Sequence, residues 1–212
     1  MCEYYREAGR RFPWRASSDP FAVAIAEVLL TKTKADAVEG TWKAFLRKYP
    51  TAEILAQADA HELQDMLRPL GLWEKRARHL VQLGRYLSIE GLTVLSSRRS
   101  GVRVPGLGTY AAAAVACFAF GERVGIVDGN VRRILTRFFG VRHPKTQRGN
   151  IRRISALADA VAMASPDAGM ANYGLLDLAA ATCKPRPACG ACLLKPKCKL
   201  GGSMKKGPLA GR

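Results

Sequence analysis

The chain has 212 residues, of which 48% are hydrophobic, so it can bury the core of one large domain or two small ones. Lysine and arginine outnumber aspartate and glutamate by 34 to 17, and the resulting net charge of +17 favours a polyanionic partner, nucleic acid above all. No apolar stretch approaches the length of a bilayer span and no lipidation motif is visible, so we expect no membrane attachment.

The predicted secondary structure is helical nearly throughout. Apolar residues recur at three- and four-residue spacing in seven segments, which are 21–30, 41–49, 52–67, 75–87, 110–120, 131–139 and 154–164. No segment alternates as a strand would, so the expected fold class is all-α. By composition, residues 141–153 are expected to form a basic surface loop and residues 201–212 a frayed terminus.

An acidic residue interrupts the first apolar helix. Glu27 lies in the run AIAEVLL, where burial would raise the pKa of its carboxyl group. The alternative is a partly exposed or ion-paired helix residue. Glu27 is therefore a candidate functional residue that the sequence alone does not assign.

A glycine-rich turn precedes a helix in VPGLGTYAAAAVACFAFG, residues 104–121. A proline and two glycines can form a tight turn that points backbone N–H groups outward at the helix N-terminus. Together with the helix dipole, such groups bind anions, and on DNA the anion is a backbone phosphate. The alternative is a turn that only begins a helix. Further along, Asp128 stands directly before a predicted helix, where aspartate is a common N-cap.

Four cysteines cluster near the end of the chain. Cys183, Cys189, Cys192 and Cys198 are separated by five, two and five residues, which indicates four ligands to one metal centre. Thiolates suit tetrahedral zinc or a [4Fe–4S] cluster, and the spacing does not choose between them. The first fifteen residues are charged and lack the apolar region of a signal peptide, so we expect an intracellular, cytoplasmic protein in which disulfides are disfavoured.

Cationic residues surround this cysteine loop. No acidic residue follows Asp177, whereas eight basic residues do: Lys184, Arg186, Lys195, Lys197, Lys199, Lys205, Lys206 and Arg212. A solvated surface explains a single charge run equally well. Combined with the glycine-rich turn, the distribution favours contact with a nucleic-acid backbone.

These motifs together resemble a known family. The segments FPWRASSDPFAVAIAEVLLTKT and VPGLGTYAAAAVACFAFGERVGIVDGNVRRILTRFFG, with the four-cysteine tail, are similar to the helix-hairpin-helix DNA glycosylases of the endonuclease III superfamily, in the same order and over essentially the whole chain. The resemblance implies a two-lobed all-α fold and a [4Fe–4S] cluster on the four cysteines. One departure is the first cysteine gap, which is five residues where the family usually has six.

The resemblance also implies a domain division. Residues 20–130 would form a helical module that contains the hairpin, and residues 1–19 with 131–212 a second lobe that holds the cluster. Double-stranded DNA would lie across both lobes of a monomeric protein, and a flipped base would enter a pocket at Glu27, Tyr110 and Asp128.

Residue roles follow from the resemblance. Asp128 aligns with the catalytic aspartate, which stabilises the cationic sugar or activates water. Glu27 would hydrogen-bond or protonate the departing base. Tyr110 stands where bifunctional members have a lysine, and because a phenol forms no Schiff base the enzyme is expected to lack lyase activity. The DNA-binding residues implied are Gly106, Gly108 and Thr109 in the hairpin, and Lys32 and Thr33 in a segment that enters the double helix.

The substrate implied is thymine or uracil mispaired with guanine. Tyrosine at position 110 resembles the thymine-DNA mismatch enzymes, whereas adenine glycosylases usually have serine there, a glutamine pair near Lys32 and a further domain after the cluster. Adenine opposite guanine or 8-oxoguanine is the alternative substrate. A metal-stapled DNA-binding module without catalysis is the alternative from another functional class.

Overall fold

The computed structural model of the chain describes residues 1–96, 103–141 and 147–203. These residues form eleven α-helices and contain no strand, as the all-α prediction required. The first six helices are α1 (Cys2–Ala8), α2 (Pro20–Leu30), α3 (Ala35–Lys48), α4 (Ala52–Ala56), α5 (Ala60–Leu67) and α6 (Trp73–Glu90). The other five are α7 (Thr109–Phe120), α8 (Gly129–Phe139), α9 (Gln147–Ala164), α10 (Ala168–Ala181) and α11 (Lys199–Ser203). Short 3-10 helices lie between them at Pro13–Arg15, Arg68–Leu70, Leu92–Ser96, Cys189–Ala191 and Lys195–Lys197.

The chain divides into two compact units, Arg11–Glu122 and Met1–Arg10 with Arg123–Arg212. The boundaries therefore lie near residues 10 and 122, whereas the sequence analysis placed them after residues 19 and 130. Asp128 consequently belongs to the unit that contains the four cysteines.

Helix α2 is the centre of the unit Arg11–Glu122. Each residue from Phe21 to Leu29 is buried, because α3, α6 and α7 pack around the helix. Asp19 caps its N-terminus by accepting a hydrogen bond from the backbone N–H of Phe21 at 3.0 Å, and Pro20 occupies the first helical position, which needs no N–H donor. The indole of Trp42 donates to the carbonyl oxygen of Ala22 at 2.9 Å, and this bond fixes α3 against α2.

The second unit has its core between α8, α9 and α10. Val131, Ile134, Leu135, Ile154 and Leu178 form the buried centre of this cluster. Helix α1 packs against α10, where the rings of Tyr5 and Tyr173 stack with centroids 5.3 Å apart. Both ends of the unit's sequence therefore contribute to one core.

The structure differs from the predicted elements in three places. Segment 52–67 is two helices, because Asp59 caps α5 by accepting a hydrogen bond from the Glu62 N–H at 2.9 Å. Helix α9 begins at Gln147, so most of the predicted basic loop is helical, and residues 142–146 lie outside the described part of the chain. Residues 201–203 belong to α11, and the remainder of the predicted frayed terminus, 204–212, lies outside the described residues.

Within the described residues, no helix combines the length and the apolar character that a membrane span requires.

Candidate active site and nucleic-acid interface

The turn before α7 has the geometry that its glycines predict. The N–H of Leu107 donates to the carbonyl oxygen of Val104 at 3.2 Å, and Gly106 has φ +80°, so Val104–Leu107 is a turn with proline second and glycine third, as in type II. A Cβ atom on Gly106 would lie 2.7 Å from the carbonyl oxygen of His79 in α6. Only glycine therefore satisfies both the backbone conformation and this close approach.

The N-terminus of α7 is exposed and lacks a side-chain cap. Gly108 is the N-cap residue and makes no side-chain hydrogen bond, and a Cβ atom there would have no described heavy atom within 4 Å. Gly108 and Thr109 are exposed, and Tyr110 is half-buried. Backbone N–H groups in the first turn of a twelve-residue helix are thus presented at a bare surface, which is the arrangement that binds an anion.

Glu27 is a buried carboxylate within α2. It is 6% exposed and is surrounded in sequence by residues that are themselves buried, so the partly exposed alternative does not hold. Its Oε2 atom accepts no hydrogen bond within the described part of the chain, although the residue has other interactions. A buried carboxylate oxygen that accepts no hydrogen bond is a candidate for a functional site.

Asp128 is the N-cap of α8. Its Oδ1 atom accepts a hydrogen bond from the N–H of Val131 at 2.6 Å, and its Oδ2 atom accepts one from the amide of Asn130 at 3.0 Å. The side chain is half-buried and is therefore both fixed and accessible. The N-cap interpretation is confirmed, and it leaves room for a catalytic role because each oxygen has a further lone pair.

The extended segment that leads to Asp128 is held by side chains of α9 and α10. The amide group of Asn172 accepts from the N–H of Ile126 at 3.0 Å and donates to the carbonyl oxygen of Val124 at 2.9 Å. Asp159 accepts from the N–H of Gly125 at 2.8 Å. These bonds satisfy backbone groups that no helix satisfies, so the carboxylate of Asp128 is placed by a rigid support.

Two arginines on α8 bind the cysteine loop, and one of them also connects it to Asp128. Arg133 donates to the side-chain oxygen of Asn130 at 2.8 Å and to the carbonyl oxygen of Cys183 at 2.5 Å. Arg137 lies one turn further along α8 and donates to the carbonyl oxygens of Lys184 at 2.6 Å and Pro185 at 2.9 Å. A chain of hydrogen bonds therefore runs from Asp128 through Asn130 and Arg133 to the first cysteine.

The four predicted metal ligands line one cavity. Cys183 is buried, and Cys189, Cys192 and Cys198 are half-buried. Apolar side chains of Ile134, Phe138, Leu194 and Leu200 complete much of the wall. Two donors point at the sulfurs: Arg137 Nη1 lies 3.5 Å from Cys183 Sγ, and the N–H of Gly201 lies 3.4 Å from Cys198 Sγ.

Such donors stabilise thiolates. The four cysteine sulfurs do not surround a single metal position, however. Across the described ranges, no three His, Cys, Asp or Glu side chains are close enough together to hold a metal ion. Sulfurs around a single zinc ion would lie roughly 4 Å apart, given Zn–S bonds of about 2.3 Å. Metal binding by the four cysteines therefore stays a prediction.

The segment predicted to enter DNA forms a turn after α2. Lys32 is exposed and has φ +56°, and Thr33 is half-buried with its hydroxyl donating to the carbonyl oxygen of Leu70 at 3.2 Å. Lys32 is therefore presented to solvent, while the hydroxyl of Thr33 is engaged within the protein.

The predicted catalytic residues belong to different units. Glu27 and Tyr110 lie on α2 and α7, two helices of Arg11–Glu122 that pack against each other, whereas Asp128 and the cysteines belong to the other unit. The shared pocket at these three residues stays a prediction.

The sequence did not point to the supporting residues Asn130, Arg133 and Asn172. Only the spacing of Asn130, two residues after Asp128, could have suggested a bond to that carboxylate, because side chains of this type bind near neighbours. The others act through distant backbone groups.

Three comparisons place the chain among known proteins. A family model described as "HhH-GPD superfamily base excision DNA repair protein" matches residues 25–162, a range that includes Glu27, Tyr110 and Asp128 and excludes the four cysteines. A thymine-DNA glycosylase of Aeropyrum pernix is 36% identical over 202 residues, covering 93% of this chain and 91% of the relative. An adenine DNA glycosylase of Mycolicibacterium smegmatis is 31% identical over 199 residues, covering 92% of this chain and 66% of the relative. The solved structure of a thermostable thymine-DNA glycosylase superposes with a TM-score of 0.86 at 30% identity, covering 95% of this chain and 93% of that one.

Proposed function

This chain belongs to the HhH-GPD superfamily of base excision DNA repair proteins, and on that premise we propose that it is a monofunctional DNA glycosylase for thymine or uracil mispaired with guanine. The observation that supports this most is the half-buried carboxylate of Asp128, fixed as the N-cap of α8, in a chain that is 36% identical to a thymine-DNA glycosylase. The protein binds double-stranded DNA that contains the mismatch and acts as a monomer.

The turn before α7 and the exposed side chain of Lys32 bind the DNA backbone. The exposed, uncapped first turn of α7 binds a phosphate through backbone N–H groups at Gly108 and Thr109, and Gly106 gives the turn its shape. Lys32 adds a cationic contact from the turn after α2. These contacts are independent of sequence, and they position the duplex so that the mispaired nucleotide can be rotated out of the stack.

Base release breaks the bond between the base nitrogen and C1′ of the sugar. The electron pair of that bond leaves with the base, and Glu27 stabilises the departing base by a hydrogen bond or a proton. The sugar becomes cationic, and the carboxylate of Asp128 stabilises that charge and orients water for attack on C1′. Water forms the new C1′–O bond, and the proton that it loses balances the one that the departing base takes up, so the products are a free base and an abasic site.

Because residue 110 is tyrosine, the reaction stops at the abasic site. A lyase needs an amine that forms a Schiff base with C1′, and a phenol has no such chemistry. The DNA strand therefore stays intact until alkali cleaves the abasic site.

The four cysteines hold a [4Fe–4S] cluster in this proposal. The cavity that Cys183, Cys189, Cys192 and Cys198 line, and the N–H donors directed at two of the sulfurs, support a thiolate-bound centre. The resemblance of the chain to the endonuclease III superfamily favours the cluster over zinc. When bound, the cluster supplies a rigid cross-link for the loop rather than a redox step. The loop then presents Lys195 and Lys197 to the phosphates.

The experiment is a comparison of four duplexes that differ only in the central pair: T·G, U·G, A·G and A·8-oxoguanine. The proposal predicts strand breaks at T·G and U·G that appear only after alkali. Breaks without alkali would contradict the role of Tyr110. The similarity to an adenine DNA glycosylase favours one second candidate, and exclusive cleavage of the adenine duplexes would establish it. Absence of base release from any duplex would leave only the DNA-binding alternative.

A further inference from the structure

Two residues other than glycine have a left-handed backbone in the described part of the chain. They are Lys32, with φ +56°, and Leu72, with φ +52°. Residues with a Cβ atom disfavour this conformation, so Lys32 and Leu72 keep it only if contacts with the surrounding structure stabilise it. Both residues are exposed, Leu72 to 49%, so neither is held by burial of its own side chain.

The buried guanidinium of one residue, Arg76, donates hydrogen bonds to the turn around Lys32 and to the turn before Leu72. Arg76 in α6 is 3% exposed, and its Nη2 atom donates at 2.8 Å to the carbonyl oxygen of Thr31 and at 2.8 Å to the hydroxyl of Thr33, the two neighbours of Lys32. Its Nη1 atom donates to the carbonyl oxygens of Leu70, at 3.2 Å, and Gly71, directly before Leu72.

The partners of Arg76 are neutral oxygens throughout the described residues, and its Nε atom adds a fifth, the carbonyl oxygen of Val28 at 3.4 Å. Burial without a neighbouring anion lowers the pKa of the guanidinium, yet its reference value is so high that it stays charged. Burying a charge in this way is unfavourable. Its five hydrogen bonds offset this cost, and they fix the backbone of the two turns.

The planar fork of arginine suits this task. Its two terminal nitrogens point in fixed directions, so one can bind the turn at Thr31–Thr33 while the other binds the turn at Leu70–Gly71. The hydroxyl of Thr33, which accepts from Arg76 and donates to Leu70, links the two turns directly.

We propose that Arg76 is a positioning residue for DNA binding, which holds the turn at residues 31–33 so that the exposed ammonium of Lys32 meets a DNA phosphate. This inference rests on the proposed function, in which Lys32 contacts the DNA backbone. Arg76 itself is buried and touches no phosphate. Its loss should nevertheless remove a phosphate contact, and a residue that only stabilised the fold would not do this.

The salt dependence of DNA binding measures that contact. Each phosphate neutralised by a cation contributes about 0.9 to the slope of log K against log salt concentration. The dissociation constant of the purified protein for a fully paired duplex would be measured from about 50 to 200 mM salt, over which such contacts are resolved. The variants are Lys32→Ala, Arg76→Met, the double variant, and Arg85→Met as the control for loss of one positive charge at an exposed site on the same helix.

We expect Lys32→Ala and Arg76→Met each to reduce the magnitude of the slope by about 0.9, and to weaken binding about fivefold to tenfold near 0.1 M salt. The double variant should have the slope of either single variant, because both changes remove the same contact. Arg85→Met should keep the wild-type slope. Thr33→Val, which removes a neutral hydroxyl from the network, should reduce the slope as Arg76→Met does, and it replaces that variant if Arg76→Met does not fold.

Three results would overturn the inference: a wild-type slope in folded Arg76→Met or in Thr33→Val, additive slope changes in the double variant, or an equal change in Arg85→Met. An unchanged slope in Lys32→Ala would overturn it too, because no phosphate contact would exist for Arg76 to position. These results are distinct from failure of the proposed function, since that failure is an absence of base release by the wild-type protein.

Discussion

Asp128 has two roles in this account, and two substitutions separate them. Asp128→Asn keeps an oxygen that can accept from the N–H of Val131, now 2.6 Å from Oδ1, and asparagine caps helices as well as aspartate does. We therefore expect the free energy of unfolding to change by less than about 0.5 kcal/mol. Asp128→Ala removes the cap, and losses of this kind cost about 0.5–2 kcal/mol. In both variants the half-buried amide of Asn130 loses its 3.0 Å acceptor, because the amide nitrogen of asparagine only donates; this amide can turn to water and adds little.

Activity should behave differently from stability. Both variants lose the negative charge that stabilises the cationic sugar, so both should excise thymine at least about 100-fold more slowly in single-turnover reactions. Thermal unfolding should show a midpoint within about 2 °C of wild type for Asp128→Asn and a decrease of about 1–8 °C for Asp128→Ala, at about 2–4 °C for each kcal/mol in a chain of this size. Excision by Asp128→Asn at the wild-type rate would refute the catalytic role. A large loss of stability in Asp128→Asn would refute the claim that the cap survives.

The remaining predictions concern the turn before α7, the hydrogen bond between Asn130 and Asp128, Tyr110, and the four cysteines. Gly106→Ala should lose about 2–4 kcal/mol of stability, because alanine disfavours φ +80° and its Cβ would lie 2.7 Å from a carbonyl oxygen, measured by denaturant unfolding. Gly108→Ala, in open space, should unfold normally yet bind duplex DNA more weakly, by obstructing the phosphate. Asn130→Ala should slow base release about tenfold with unfolding near wild type, because Asp128 loses one of its two hydrogen bonds. Borohydride should trap no covalent complex with DNA, since Tyr110 forms no Schiff base. The purified protein should absorb at about 400 nm and contain iron; a colourless zinc protein would contradict the cluster.

The helices were predictable where a local pattern is sufficient. Apolar spacing predicted the positions of α2, α6, α7 and α8, because each buries one face or, in α2, all of them. The break between α4 and α5 was missed because the apolar pattern continues through it. The break exists because Asp59 is the N-cap of a new helix. Helix α10 was missed since asparagine and glycine, poor helix formers, occur inside it.

The geometry of the candidate site was predictable where it depends on neighbouring residues, and was not predictable where it depends on distant ones. The turn at Gly106 and the cap at Asp128 follow from neighbouring residues, and both have the expected geometry. The functions of Arg76, Arg133 and Asn172 depend on backbone groups far along the chain, so no local pattern contains them. In sequence, a buried arginine in α6 resembles the exposed arginines beside it.

The central claim is that this protein releases a mispaired pyrimidine by hydrolysis and leaves the strand intact. The most direct measurement is detection of the free base by mass spectrometry, in a single-turnover reaction with a T·G duplex, alongside the length of the DNA strand before alkali. We predict one free thymine for each abasic site and a full-length strand. Free adenine from an A·8-oxoguanine duplex with no thymine from T·G, or a cleaved strand before alkali, would contradict it.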